Sequence, residues 1–292
     1  MTTSVQVVRA SDARFARSSR TGAVCVFAGA TSKIGARSLE RMLSMCSKLE
    51  RIRNAPSCFI EADVSLISAI DKASQVILAA EGHVNYLCMS MGGALVNGVE
   101  YTVEGLDACF AISYHSRMWL LANLLLLLLR SEGGARALGV LNGGKEKFIN
   151  EDDIGLKKNC SLYNIVKHTT LPTSLALGYL AAQSEKANIT FVYNYPGLVK
   201  SDNFRRLNPP PSSSVLWGPW LAVVKVLVPV IRFFAGMSPE EAGERQAFHL
   251  TSDKYRPRWL QVYNGNERWR INRMRDGPPR CGISSTTSGK RA

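Results

Sequence analysis

The sequence GAVCVFAGATSKIG, residues 22–35, gives the clearest indication of the fold class of this chain. Its first half is a short apolar run typical of a buried strand, and Gly29 ends that run. An apolar pattern with helical spacing follows over residues 34–46, so the stretch predicts a strand, a glycine turn and a helix. Glycines at such a turn let the backbone approach a pyrophosphate, whose charge the amides at the helix start attract.

The rest of the sequence alternates between strand-like and helical patterns. Because helices of this length imply crossovers between parallel strands, we predict a single-domain α/β fold with a doubly wound, Rossmann-like parallel sheet. Ser65 is positioned to cap the second helix. The strand-like runs are residues 57–60, 84–89, 136–141 and 189–195, and the later helical patterns are residues 69–80, 101–130 and 161–182.

Tyr163 and Lys167 are four residues apart in a helical pattern, so their side chains share one helix face. An ammonium beside a phenol favours the phenolate, which makes the phenol a usable proton donor or acceptor for a carbonyl that receives hydride. The alternative for the pair alone is a buried tyrosine with a lysine that extends to solvent.

The order of the motifs resembles that of the short-chain dehydrogenase/reductase family over residues 20–255. In that family a glycine-rich turn holds the cofactor pyrophosphate, an aspartate after a strand contacts adenine, and a helical Tyr–Lys pair carries the proton chemistry. The lysine also contacts the nicotinamide ribose, and a Pro-Gly turn holds the carboxamide side. The matching motifs are the turn at 29–35, Asp63, Gly92-Gly93, Tyr163 with Lys167, and Pro196-Gly197.

The resemblance assigns a role to individual residues of this chain. It implies that the catalytic residues are Tyr163, Lys167 and Asn142. It implies that the cofactor-binding residues are Gly29, Ser32, Lys33, Ile34, Gly35, Asp63, Gly92, Lys167, Pro196, Gly197 and Val199.

Four shorter phrases look like the fungal, secondary-metabolite branch of the family. The resemblance implies an NAD(P)(H)-dependent oxidoreductase that interconverts a ketone and a secondary alcohol on a hydrophobic small molecule. The apolar residues 203–235 would cover that substrate as a lid. Basic Lys33 and Arg37 favour NADP, with NAD as the alternative. The phrases are ADVSLIS (62–68), EDDIGLKKN (151–159), YPGLVKS (195–201) and SPEEAGER (238–245).

Three residues depart from the family pattern. Lys33 takes the place of the middle glycine of the turn, where a side chain crowds the pyrophosphate or attracts a phosphate. Asn142 stands where the family has its catalytic serine, and its amide can donate a hydrogen bond but cannot relay a hydroxyl proton. Ser113 stands where the family has a structural asparagine.

The interval from Gly29 to Asp63 is a larger departure, because its 34 residues are too few for the usual helix, strand, helix and strand. The second strand, which normally meets the adenosine ribose, has no counterpart in the sequence. Either residues 58–62 move inward to close the sheet, or the cofactor side of the fold is compromised. The second outcome predicts the alternative function, a catalytically impaired binding or regulatory protein.

Composition limits the remaining classes. The formal charge of +13 is concentrated in residues 1–20 and 254–292, and no nucleic-acid reading motif accompanies it, so we expect no nucleic-acid partner. The seven cysteines lie mostly in apolar runs without metal-ligand spacing, which predicts reduced, buried thiols, no metal site and a cytoplasmic protein. We divide the chain into a basic extension (1–20), the domain (21–255) and a basic, disordered tail (256–292).

Two apolar segments raise the question of membrane contact. The leucine run at 124–129 is too short to span a bilayer and predicts a buried helix. Residues 215–235 contain Lys225, Arg232 and two prolines, which favours peripheral contact with a membrane surface over a span. The family resemblance also implies a homodimer that pairs through the helices at 101–130 and 161–182.

Overall fold

The computed structural model describes residues 23–29, 58–92, 100–156, 158–159, 161–183, 188–197, 237–252, 255, 259–263 and 266–268. The strands are β1 (Cys25–Ala28), β2 (Tyr86–Met89), β3 (Ala135–Val140), β4 (Ile189–Tyr195), β5 (Trp259–Tyr263) and β6 (Asn266–Arg268). The helices are α1 (Ile67–Ala80), α2 (Ala108–Leu129), α3 (Leu162–Gln183) and α4 (Pro239–Thr251). A turn of π-helix, Ala111–His115, lies near the start of α2.

These strands form one sheet in the order β1-β2-β3-β4-β5-β6. The first five strands are parallel, and β6 pairs antiparallel with β5. Helical crossovers of the kind predicted from the alternating pattern connect β2 to β3 and β3 to β4. The predicted parallel α/β sheet is confirmed.

Helices cover both faces of the sheet, because both faces of the central strands carry apolar side chains. On one face, α1, α2 and α3 pack over Leu87, Phe191 and their neighbours. On the other face, Phe248 of α4 packs with Leu138 and Val192. The sheet is therefore the middle of three layers.

The leucine-rich α2 lies at the centre of the first layer. Its long apolar sequence makes it the one helix in the described part of the chain that could cross a membrane by length and composition. Five of its leucines are instead buried against the sheet and α1, as the buried-helix interpretation predicts. They are Leu120, Leu121, Leu124, Leu127 and Leu128.

Two helix starts differ from the prediction. The helix expected over residues 101–130 begins at Ala108, because Tyr101 pairs with Asp107 in a turn and the Asp107 carboxylate accepts from the Phe110 amide. The predicted cap by Ser65 is wrong. Its hydroxyl donates to Asp63, and the first amides of α1 donate to Glu104, a residue distant in sequence.

The boundary drawn at residue 255 is also wrong. Strands β5 and β6 lie within the predicted disordered tail, and β5 pairs with β4 along its full length. The apolar alternation of WLQVY allows this pairing, whereas the surrounding arginines had suggested a solvated segment. The domain therefore extends at least to Arg268.

At the opposite edge, β1 is the outermost strand that the structure describes. Residues 58–62 are described and carry no strand, so the idea that they move inward to close the sheet is wrong. Phe27 of β1 is 61% exposed as a result. The prediction of buried cysteines fails here too, because Cys25 and Cys58 are exposed whereas Cys88 and Cys109 are buried.

Candidate functional site

The carboxyl ends of the first four strands form one edge of the sheet. The register sets Ala28 beside Met89, Met89 beside Gly139, and Val140 beside Asn194. Each strand therefore ends just before a residue that the sequence assigned to the site. These residues are Gly29, Gly92, Asn142, Pro196 and Gly197.

The backbone conformation and the neighbouring residues at position 29 allow only glycine. Its φ is +84°, and a Cβ there would lie 2.3 Å from the Met91 backbone nitrogen. The Ser90 amide also donates to the Ala28 carbonyl at 2.9 Å. The turn after β1 is thus packed directly against the turn after β2 that contains Gly92.

Asp63 is held by local hydrogen bonds. Its Oδ1 accepts from the Ser65 amide at 2.9 Å and from the Ser65 hydroxyl at 2.7 Å. The next carbonyl, that of Val64, accepts from the Ser116 hydroxyl of α2 at 2.5 Å. The bonds to Asp63 order the segment before α1, and the Ser116 bond joins this segment to α2.

Tyr163 lies in the first turn of α3 and is 59% exposed, which contradicts the buried-tyrosine alternative. The Lys167 Nζ lies 5.2 Å from the centroid of its ring. A second lysine, Lys147, also lies beside this phenol, with its Nζ 3.5 Å from the Tyr163 hydroxyl oxygen and 5.1 Å from the ring centroid. Two ammonium groups therefore flank one accessible phenol.

Sequence reasoning missed Lys147. Its signal is the motif GGKEK at residues 143–147, a glycine turn and two basic residues directly after a strand that ends at the ligand-binding edge. The contact between Lys147 and Tyr163 is not evident from the sequence, because the two residues are 16 positions apart and meet only where the loop between them folds back onto α3.

Buried polar contacts hold that loop on α3. Glu146 Oε1 accepts from the Ser174 hydroxyl at 2.6 Å and from the Gly144 amide at 3.1 Å. His168 is buried, and its Nε2 accepts from the Asn150 amide at 3.2 Å. Its Nδ1 lies 3.1 Å from the Ile154 carbonyl, the geometry in which Nδ1–H donates to that oxygen.

Asn142 follows β3 after one intervening residue and is half-buried. Its backbone and the Thr170 hydroxyl of α3 lie near the phenol of Tyr193 on β4, whose oxygen has no hydrogen-bond partner among the described residues. Burial raises the pKa of Tyr193, while Arg117, Asn142 and Thr170 oppose that rise and Glu146 adds to it. Tyr193 is therefore a neutral buried phenol between the Asn142 turn and α3.

Arg117 is a second residue that sequence reasoning missed. It is fully buried beneath the turns after β2 and β3, and burial lowers its pKa to about 10, against the opposing effect of Tyr193 and Cys88. Its signal is a single cation in the otherwise apolar start of SRMWLLANLLLLLL. Such a residue is read from sequence as a surface position.

Several predicted residues lie outside the part of the chain that the structure describes. They are Ser32, Lys33, Ile34, Gly35 and Val199, together with the lid at 203–235 and the extension at 1–20. Pro196 and Gly197 are described, and Gly197 has a φ of +83° that suits a turn after β4. Within the described residues, no group of three potential ligands could hold a metal ion.

The described residues fit one nicotinamide cofactor placed along this edge. Gly29, Gly92 and Gly197 lie in turns that follow strands of the parallel sheet. The side-chain positions at Gly29 and Gly92 are filled by Met91 and Leu141, so these glycines pack the turns on which a cofactor would lie. Lys167 supplies a cation beside Tyr163 on α3.

Among known proteins, the chain is similar to fungal proteins named as oxidoreductases, and no family model matches it. It is 38% identical over 201 residues to the oxidoreductase AN1596 of Emericella nidulans, a match that covers 68% of this chain and 56% of that protein. It is 33% identical over 248 residues to the oxidoreductase lepF of Aspergillus flavus, covering 76% and 67%. The short-chain dehydrogenase/reductase SAT2 of Stachybotrys chartarum is 30% identical over 163 residues, covering 51% and 46%.

Solved structures show the same fold. A short chain dehydrogenase described as putative, from Pseudomonas syringae, superposes with a TM-score of 0.55 at 12% identity and covers 84% of this chain and 95% of its own. A short-chain dehydrogenase from Streptomyces avermitilis gives 0.51 at 15% identity, covering 84% and 88%. The chain spans little more than half the length of AN1596.

Proposed function

Because this chain belongs to the short-chain dehydrogenase/reductase family, we propose that it is an NAD(P)(H)-dependent oxidoreductase that interconverts a ketone and a secondary alcohol. The observation that carries the proposal is the exposed Tyr163 phenol with Lys147 and Lys167 beside it. A bound nicotinamide would supply hydride to the carbonyl carbon in one direction and accept it in the other.

The side chains of this chain perform the proton chemistry. In reduction, the Tyr163 hydroxyl donates its proton to the carbonyl oxygen as the C–H bond forms, and the phenolate takes a proton back from the alcohol in oxidation. The two lysine ammoniums stabilise the phenolate electrostatically. The Asn142 amide donates a hydrogen bond to the same carbonyl oxygen and polarises it.

The cofactor would lie along the strand ends and contact the backbone of the turns that contain Gly29, Gly92 and Gly197. Lys167 would contact the nicotinamide ribose. NADP is the proposed cofactor because Lys33 and Arg37 are basic, and NAD is the alternative. Titration of both cofactors by tryptophan fluorescence distinguishes them.

The proposed substrate is a hydrophobic small molecule of fungal secondary metabolism, covered by the apolar residues 203–235. We place the enzyme in the cytoplasm, without a nucleic-acid partner. Peripheral membrane contact through residues 215–235 would appear as flotation with liposomes. A homodimer through α2 and α3 would cover the exposed Leu126, Leu175 and Tyr179, and sedimentation would detect it.

Cofactor oxidation tests the proposal directly. Purified protein with NADPH and a panel of aromatic or polyketide-like ketones should oxidise the cofactor, and Tyr163→Phe should abolish this activity. Tyr179→Phe is the matched control, because Tyr179 lies on the same helix and is 61% exposed against 59% for Tyr163. Turnover at the wild-type rate in Tyr163→Phe would refute the mechanism.

One observation favours a second candidate, a family member that binds ligands without turnover. The sheet of the described residues ends at β1, and residues 58–62 add no strand beyond it, so no described strand lies on the side where the adenosine would bind. Saturable binding of NADPH or NADH below millimolar concentration would exclude this candidate. Absence of binding together with a folded protein would favour it.

A further inference from the structure

Arg117 is a cation placed entirely inside the protein. Its side chain has no exposure, and its guanidinium donates to the Met89 carbonyl at 2.7 Å, to the Met91 carbonyl, and to the Val140 carbonyl at 2.9 Å. Nε has no hydrogen-bond partner. The ionisable side chains that act on it in the described residues are the Tyr193 phenol and the Cys88 thiol.

This placement is unfavourable for stability alone. Burial of a guanidinium is strongly unfavourable unless charged partners and complete hydrogen bonding offset the lost hydration, and here the acceptors are neutral carbonyls. The same helix face presents leucines at 120, 121 and 124, so an apolar residue would fit the layer. The stability of the helix packing does not explain why an arginine occupies this position.

The three acceptors identify what the arginine does hold. Met89 ends β2, Met91 belongs to the turn that leads to Gly92, and Val140 ends β3 two residues before Asn142. The planar guanidinium has donors in a fixed fork, so it sets the positions of these carbonyls relative to one another. A lysine has no such fork, because it offers donors from one nitrogen only.

Gly139 makes room for this arrangement. A Cβ at Gly139 would lie 3.2 Å from the Tyr193 ring and 3.6 Å from Arg117 Nη1. At the other turn, a Cβ at Gly92 would lie 3.8 Å from Arg117 Nη2, and the Val140 carbonyl that Arg117 holds is two residues before Asn142. The contacts from Arg117 therefore reach the turns that carry Gly92 and Asn142, the two sides of the place where substrate carbonyl and cofactor would meet.

We propose that Arg117 is a positioning residue of the oxidoreductase reaction, which sets the separation of the Gly92 turn and Asn142 by clamping the ends of β2 and β3. This inference rests on the proposed function. It concerns a residue that touches neither substrate nor cofactor and acts through two residues that would.

Arg117→Lys is the principal variant, because it keeps the charge and removes the fork. Arg136→Lys is the matched control, since the Arg136 guanidinium also donates to a carbonyl, that of Leu250 at 3.0 Å, but at the opposite end of β3. We expect Arg117→Lys to lower kcat by about 10- to 100-fold, because a small displacement of the groups that hold the substrate carbonyl has an effect of that size. Arg136→Lys should leave kcat unchanged.

Amide hydrogen exchange provides a readout independent of activity. Arg117→Lys should accelerate exchange at residues 90–92 and 141–144 while exchange in α3 and α4 stays as in the wild type. Guanidinium chloride at low concentration should restore part of the turnover of Arg117→Ala. A normal kcat with normal exchange in a folded Arg117→Lys would overturn the inference.

Two further outcomes are separable. If the wild type neither binds cofactor nor turns over ketones, the proposed function fails, and so does the catalytic role of Arg117, even if exchange changes at the two turns. If Arg117→Lys does not fold, Arg117→Gln tests the same point, because the glutamine amide has one planar donor group and lacks the fork. An unchanged kcat in Arg117→Gln would then count against the inference.

Discussion

The region around Tyr163 and the region around Arg117 lie at the same sheet edge and are built in opposite ways. Tyr163 is more than half exposed, and the two lysines beside it are reachable by solvent. Arg117 is fully buried, and all of its described hydrogen bonds go to backbone carbonyls. The comparison suggests a division in which groups that exchange protons are accessible, and the group that sets their surroundings is enclosed.

The largest expected effect separates activity from stability. Tyr163→Phe should lower kcat by about 10²- to 10⁴-fold, the usual contribution of a general acid, while the melting temperature stays that of the wild type. Its hydroxyl contributes little to stability because it is exposed. Kinetics and thermal unfolding measured on one preparation check this. A large loss of stability would contradict the division between accessible proton-exchanging groups and enclosed positioning groups.

Lys147 should give a smaller effect of the same kind. Lys147→Met removes a charge 3.5 Å from the phenol oxygen, and we expect kcat to fall by about tenfold with an unchanged KM for the ketone. Because the pair is exposed, the difference between wild type and variant should shrink as salt rises. Lys158→Met, on the same loop and exposed, is the control that should leave kcat unchanged.

The reactivity of the thiols tests whether the region around Arg117 is enclosed. Burial raises the pKa of Cys88 to about 11, against the opposing effect of Arg117, so this thiol should stay unreactive toward maleimide at pH 8. Cys25 and Cys58 are exposed and should react quickly. In Arg117→Lys, reaction at Cys88 would report opening of the enclosed region. Peptide mapping by mass spectrometry measures all three sites.

The smallest effect concerns Glu104, in the segment that precedes α2. Hydrogen bonds from Ser68 and from the Ile67 amide lower the pKa of Glu104, although the carboxylate is exposed. A lowered folded-state pKa means that this stabilisation is present above the unfolded pKa and is lost as the pH falls through the folded value. Glu104→Gln should unfold at slightly lower temperature at pH 7 and differ less from wild type in acid.

Local patterns in the sequence predicted most of the fold. The apolar runs located β1 to β4, and the spacing of Tyr163 and Lys167 on one helix was correct. Strand β5 was missed because the basic residues around it resemble a solvated tail, and only its pairing with β4 reveals it. The cap of α1 was missed because Glu104 reaches it across 37 residues.

The site was predictable where it follows strand ends and unpredictable where it depends on long-range contacts. Gly29, Gly92 and Asn142 stand directly after strands, which a sequence can show. Lys147 depends on the fold of a loop, and Arg117 depends on three carbonyls that no pattern of residue types encodes. Buried cations in apolar helices are therefore worth testing as internal supports.

The contact between Gly139 and Tyr193 also has an evolutionary consequence. A Cβ at position 139 would lie 3.2 Å from the Tyr193 ring, which is tight, and 3.6 Å from the Arg117 guanidinium, which is an ordinary contact. Positions 139 and 193 should thus vary together among descendants of this protein. A smaller residue at 193 would make room for a larger one at 139, whereas the reverse order passes through a crowded intermediate.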